Sequence, residues 1–304
     1  MAAFASVISP VCALVLGPLL LALINRTKAF VAGRRGPPLL QPYFDIAKYL
    51  RRGAVYGDAT SWVFRLGPVV NLTVLFAALL IVPWGAIRSP LSFSGDLIVV
   101  AGLLAVGRFA IVLAALDTGS SFEGMGASRE VHFAALAEPA LLLALAVLAR
   151  VTGALSLTPI YQGITASAWV AALPTLALAA MTLLVLALVE NSRIPVDDPT
   201  THLELTMIHE VMVLDHSGPD LGYIHYAAAL KLWILGGLLV GLVMPLRSGA
   251  LWLDGSAMLL GMAILAVVIG MIESAMARYR LVHVPQFIVG AATLSVVGFI
   301  LILV

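Results

Sequence analysis

The sequence predicts an all-α, polytopic membrane protein with about eight spanning helices and one amphipathic helix on the cytoplasmic side. Three observations carry that expectation. Of 304 residues, 62% are hydrophobic and only 11% charged, with a mean hydropathy of +1.07, which is more apolar surface than a water-soluble domain of this length can bury. The apolar residues fall in segments of about 20, the length that crosses a hydrocarbon core. The 17 basic residues gather in a few short connections instead of spreading over one face, and with a net charge of +1 they offer no nucleic-acid surface.

In chain order the candidate spans are 5–25, 66–87, 97–116, 131–150, 168–190, 226–245, 251–273 and 286–304. The first has no basic region before it and is followed by Arg26, Lys28, Arg34 and Arg35 instead of a small-residue cleavage site, so it is expected to be retained. Assigning loops alternately to the two sides places Lys48, Arg51, Arg52, Arg65, Arg129, Arg193, Arg278 and Arg280 with that first basic group, against Arg88, Arg150 and Arg247 on the other side. By the positive-inside rule the richer side is cytoplasmic, both termini face the opposite compartment, and the chain belongs in the cytoplasmic (inner) membrane. No internal repeat and no long polar stretch divides it, so 1–304 reads as a single transmembrane domain.

After the first span comes RRGPPLLQPYFDIAKYLRR, in which Leu39, Leu40, Tyr43, Ile46, Ala47 and Leu50 recur at helical spacing opposite Asp45, Lys48 and Arg51. That pattern suits a helix lying on the membrane or against a partner. Pro37, Pro38 and Pro42 interrupt it, so only the part from Tyr43 onward is expected to be regular.

Several ionisable groups fall inside the spans. Arg108 lies about nine residues from the cytoplasmic end of the third, at ~1.5 Å of rise per residue, and Glu138 is about as deep in the fourth. Glu190 closes the fifth, Lys231 enters the sixth, and Glu273 occupies the last turns of the seventh. An unpaired charge at such depth costs several kcal/mol and a paired one much less, so the five are expected to converge on one cluster in the cytoplasmic half of the bilayer. Interhelical ion pairs that hold the bundle together would account for it; so would a hydrated chamber that moves protons or responds to charge on a docked redox partner.

The loop ENSRIPVDDPTTHLELTMIHEVMVLDHSGPD joins the fifth and sixth spans, and Asp198 or Thr200 could cap a helix from Thr201 to Leu214. Its HEVMV lacks the second histidine of a zinc-protease helix, Cys12 is the single cysteine, and no phosphate loop or nucleophile elbow occurs. No catalytic residue, metal site or bound cofactor is expected in this chain. Any redox metal then belongs to another subunit.

The segment ENSRIPVDDP followed by LEL resembles the E-T/N-x-R-x-P-F-D…E-x-E-L loop of complex I subunit 1. RRGPPLLQPYFDIAKYL is similar to that family's R-R/K-G-P-N…G-L-L-Q-P…D…K-L segment, MARYRLVHVPQF to its R-x-R-x-D-Q segment, and GASREVHFAALAEP to its G-A-L-R…Y-E, which puts the family's membrane glutamate on Glu138. Four segments in order cover essentially the whole chain. Departures fall where the family builds its quinone chamber: the glycine-rich insert before Leu39 is missing, Thr200 and His202 stand where acidic residues are usual, Glu210 comes two positions early, and Val284-Pro285 precedes Gln286 where an Asp would. DTGSSFEGMGASRE with RIPVDDPTTHLELTMIHE resembles the membrane subunit of membrane-bound nickel-iron hydrogenases, of the formate hydrogenlyase and hydrogenase-4 type.

The resemblance implies a non-catalytic membrane-anchor and coupling subunit of an oxidoreductase complex. Its partners would be hydrogenase large and small subunits carrying the nickel-iron centre and iron–sulfur clusters, and antiporter-like membrane subunits. Arg34, Arg35, Asp45, Arg193, Asp197, Asp198, Glu204, Glu210, Arg278 and Arg280 are expected to form the docking surface and upper chamber, with Asp197, Asp198 and Glu204 paired to basic groups of the partner. Arg108, Glu138, Glu190, Lys231 and Glu273 would carry charge or protons onward. The alternative is the quinone-binding membrane subunit of an NADH-quinone oxidoreductase, with quinone between the surface helix and the first and sixth spans. A stand-alone transporter would call for inverted repeats and broken helices at mid-membrane, and neither is visible.

Overall fold

In lipid an unpartnered backbone N–H or C=O costs several kcal/mol, so a chain this apolar has to satisfy its main chain within helices. The computed structural model describes residues 2–197 and 207–303, with backbone alone for 2–5, and in them the chain is helical throughout its apolar segments. α1 (Ala2–Val31) leads to the short α2 (Gln41–Leu50). Three spans follow: α3 (Trp62–Ile81), α4 (Asp96–Asp117) and α5 (Ser121–Thr152). Short helices α6 (Leu157–Gly163) and α7 (Ala166–Ala171) precede α8 (Leu173–Glu190). After the single turn α9 (His209–Met212) come α10 (Gly218–Val243), α11 (Leu251–Ala275) and α12 (Val284–Leu301). Eight of these helices are long and apolar enough to cross a membrane, and the chain is a multi-pass membrane protein.

The elements depart from the sequence expectation at their polar ends. α5 and α10 begin well before the expected 131 and 226, because the polar first turns are themselves buried: Glu123 and Asp220 are shielded between helices. α8 begins at Leu173 instead of 168, since Pro174 sits in its first turn, where a missing N–H does no harm, and the preceding residues form α7. The same reasoning corrects α2, which starts at Gln41 with Pro42 in its first turn. In the loop before α10 the expected helix from Thr201 to Leu214 is described only from Met207 onward, and there it is the short α9.

α10 is the hub, packed against α1, α2, α3, α8 and α11. Close approach of neighbours depends on missing side chains: a Cβ on Gly67 of α3 would lie 2.7 Å from Ala114 Cβ and 2.9 Å from the Ala110 carbonyl of α4. Asp117, at the end of α4, accepts from the Ser61 and Phe64 N–H groups at 2.6 and 3.2 Å, tying the start of α3 to it. Pro18 inside α1 leaves the Leu14 carbonyl without its helical donor. The Tyr226 hydroxyl of α10 donates to that oxygen at 2.8 Å, and Tyr43 of α2 donates to the Val15 carbonyl beside it. Tyr49 stacks on His225 at 5.4 Å, so the seam between α1 and α10 is closed over by α2.

His216, just before α10, lies flat on Phe64 with ring centroids 4.0 Å apart, and neither ring nitrogen has a hydrogen-bond partner. Burial pushes it from 6.5 down to about 4. Between those two pH values the unfolded chain binds a proton that the folded chain refuses, so stability should fall as pH drops from about 6.5 towards about 4. His216→Phe should keep the stack and shallow that slope. Melting curves at pH 7 and pH 5 test it; equal slopes for both proteins would contradict the assignment.

Candidate functional site

The Arg108 guanidinium, buried on the inner face of α4, forks to three carboxylates from two helices. Its Nε lies 3.3 Å from Glu130, NH1 donates to Glu138 at 2.6 Å, and NH2 reaches the two Glu190 oxygens at 2.5 and 2.6 Å. Lys231 of α10 sits 3.0 Å from the second Glu190 oxygen. A planar guanidinium with five donors can serve three acids at once, which a lysine ammonium cannot. Glu130 and Glu138 reach the same guanidinium because eight residues are close to two helical turns of α5. Glu190 ends α8, where the helix dipole disfavours an anion, and two cations offset that. Three carboxylates against two cations leave a formal charge of −1.

Arg108, Glu130, Glu190 and Lys231 line a cavity of about 50 Å³ with Asn71, Asn191 and His209 among apolar side chains of α3, α4 and α10. A second cavity, about 260 Å³, lies on the loop side and is lined by Asn25, Arg193, Asp197, Glu210 and His225. Asn191, Ser192 and His209 border both. His209 lies outside the spans, and burial, followed by the repulsion of Lys231, lowers it from 6.5 to about 4, so it is neutral at pH 7.

Glu273 does not join this cluster, contrary to the sequence expectation. α11 packs on α1, not on α4 or α5, so its buried carboxylate meets Arg193 at 3.3 Å and Lys28 at 2.8 Å, the latter an ion pair without hydrogen-bond alignment. Lys231 is in the middle of α10 and not at its mouth, because that helix starts at Gly218. Asp197 is also not at an interface: it is 1% exposed, one oxygen lies 2.9 Å from Arg278, and the other accepts the Ile208 and His209 N–H groups at 2.9 and 3.2 Å. Arg193 is buried as well. Asp45 accepts from Gln41 at 2.8 Å, Arg34, Arg35 and Arg280 are exposed, and Glu210 lines the loop-side cavity. Asp198 and Glu204 lie outside the described residues.

Sequence reasoning did not single out Glu130, because it sits in the polar segment SREVH that reads as loop. Its spacing of eight from Glu138 was the available signal. Lys28 was counted only as a loop charge, and His209 only as a discarded metal ligand. Among the described residues no three His, Cys, Asp or Glu side chains converge as a metal site.

The chain is 34% identical over 275 residues to formate hydrogenlyase subunit 4 of Escherichia coli, covering 88% of both chains. It is 34% identical over 232 residues to hydrogenase-4 component C of Escherichia coli, covering 76% of this chain and 72% of that one. A lower similarity, 26% over 145 residues, links 45% of it to 44% of an NADH-quinone oxidoreductase subunit of Rubrobacter xylanophilus. A chain in the structure of the membrane-bound sulfane sulfur reductase, an archaeal respiratory membrane complex, has the same fold, with a TM-score of 0.82 at 20% identity over 99% of this chain and 100% of that one. The NADH dehydrogenase family model matches residues 4–303, and the chain therefore belongs to that family, the family of complex I subunit 1.

Proposed function

We propose that this chain is the membrane-anchor and coupling subunit of a membrane-bound nickel-iron hydrogenase complex of the formate hydrogenlyase type, in a cytoplasmic membrane with both termini on the far side. The single observation that carries the coupling role is the Arg108–Glu130–Glu138–Glu190–Lys231 network, of which all but Glu138 line a cavity that borders a second one on the loop side. A network that only held helices together would have no need of a cavity beside its charges, and about 50 Å³ is room for a few ordered waters. Two relatives at 34% identity carry hydrogenase names, which supports the hydrogenase assignment. In this reading the partner subunits hold the nickel-iron centre and the iron–sulfur clusters and dock on the exposed basic residues Arg34, Arg35 and Arg280.

Glu138 supplies the argument for a second kind of partner. Its side chain is 40% exposed on the outer flank of α5, although it is about 25 Å along that helix from Ser121. A carboxylate at that position facing lipid would cost several kcal/mol. A neighbouring membrane subunit covering it removes the cost, and an antiporter-like subunit would continue the path. The quinone alternative places quinone between α2, α1 and α10, where Tyr43 and Tyr226 bond to carbonyls of α1 and Tyr49 stacks on His225, contacts that would have to part to admit it.

Glu138→Gln tests the coupling role, because the amide keeps the shape and loses the exchangeable charge. The complex should assemble with normal hydrogen evolution from its soluble arm while ion movement in proteoliposomes falls several-fold. Loss of assembly instead would make Glu138 a purely structural partner of Arg108, and wild-type behaviour in both assays would exclude it from either role.

A further inference from the structure

We propose that His209 passes protons between the loop-side cavity and the Arg108 chamber, and that Asp197 is the residue that positions it. The inference rests on the coupling function proposed above and adds the group at its narrowest point. His209 lines both cavities and so lies where they meet. Its other borders in common with both are Asn191 and Ser192, neither of which titrates near neutral pH, and the apolar Ile224 and Ala228.

The groups around it come from every neighbouring element. On its own loop are Asp197 and Glu210; α10 contributes Lys231 and His225; the chamber side presents Arg108 of α4, Glu130 of α5 and Glu190 of α8. A neutral imidazole carries a proton on one ring nitrogen and a lone pair on the other, so it can accept on one side and release on the other. In the forward step the lone pair takes a proton from an acid or water of the loop-side cavity, and the opposite N–H gives its proton to water or a carboxylate of the chamber. Only N–H and O–H bonds form and break, and no electrons move. Burial, and after it the repulsion of Lys231, disfavours the imidazolium, so the ring does not hold the proton it transfers.

Asp197 fixes the ring's backbone. One oxygen holds the N–H groups of Ile208 and His209, while Arg278, from the connection between α11 and α12, holds the other oxygen at 2.9 Å. The loop is thereby referenced to a different part of the bundle, which places the histidine without touching its ring.

The test uses the whole complex in proteoliposomes, reading assembly on native gels, hydrogen turnover with a soluble dye, and ion movement across pH. His209→Gln should assemble and turn over hydrogen but move ions at least about tenfold more slowly, in line with the loss of one acid–base group. His209→Glu should recover part of the rate with an altered pH profile, a response a structural role would not give. Asp197→Asn should lower the rate and leave the profile in place; a moved profile would make Asp197 a proton carrier and overturn the positioning role. If His209→Gln moves ions normally while Glu138→Gln does not, the relay is refuted and the chamber stands. If both behave as wild type, the chamber reading falls and takes the relay with it. If the Gln and Glu variants are equally impaired, His209 is structural and the proposal is overturned.

Discussion

Arg108→Gln is expected to abolish assembly of the complex and leave little of this subunit in the membrane. The variant removes the one cation that Glu130 and Glu138 share and half of what Glu190 has. Breaking a single buried pair by deleting one partner costs roughly 3–5 kcal/mol, and here three carboxylates lose a partner at once, so the penalty should reach the upper end of that range. A typical domain is stable by only about 5–15 kcal/mol, which makes such a loss decisive. Arg108→Lys should be intermediate, since one ammonium cannot span acids 2.5, 2.6 and 3.3 Å from three different nitrogens. The double variant Arg108→Gln with Glu190→Gln should recover part of the assembled complex, because it removes an unpaired anion together with its partner. Pulse-chase levels and native gels measure all three. An Arg108→Gln protein that assembled at wild-type levels would show that the carboxylates are protonated or otherwise neutralised, and the electrostatic description of the chamber would have to be abandoned.

How much of this was legible in the sequence follows from what each signal measures. Hydropathy reports depth, so it located all eight spans and placed Arg108, Glu138, Glu190 and Lys231 at depths where they could meet. Depth carries no information about which helix is the neighbour. Glu273 is at a suitable depth but on a helix packed against α1, and so it meets Lys28 and Arg193 instead. Hydropathy also fails where polar residues are buried inside the fold: the turns containing Glu123 and Asp220 read as loop and are helix. Asp197 was expected to pair with a partner because a charged loop residue was assumed to face solvent or an interface, whereas it is buried and pairs with Arg278 of the same chain. The tyrosine contacts that close the seam between α1 and α10 depend on the carbonyl released by Pro18, and that register emerges only once two distant helices are side by side.

The second large effect is expected at Glu273. Its carboxylate is buried, with Arg193 on one oxygen and Lys28 on the other, so it joins α11, α1 and the segment just after α8. Glu273→Ala strands two cations. Lys28 keeps 24% of its side-chain exposure and can turn towards water, but Arg193 keeps only 11%, so the cost should be dominated by Arg193 and amount to about 3 kcal/mol. Gly270, one turn earlier on the same helix, leaves no slack: a Cβ there would sit 2.7 Å from Thr27 and 3.0 Å from the Ile24 carbonyl of α1. The helices therefore cannot close over the vacated space, and the stranded charge should instead loosen the segment from Arg193 to Asp197. Two measurements separate this tie from a place in the proton path. Protease cleavage near Arg193 should accelerate in Glu273→Ala and in the milder Glu273→Gln, with ion movement per assembled complex unchanged in the Gln variant. If Glu273→Gln instead assembles normally, resists cleavage and loses ion movement, the carboxylate belongs to the conducting path after all, and the separation of the two clusters seen in the packing of α11 would not describe how the complex works.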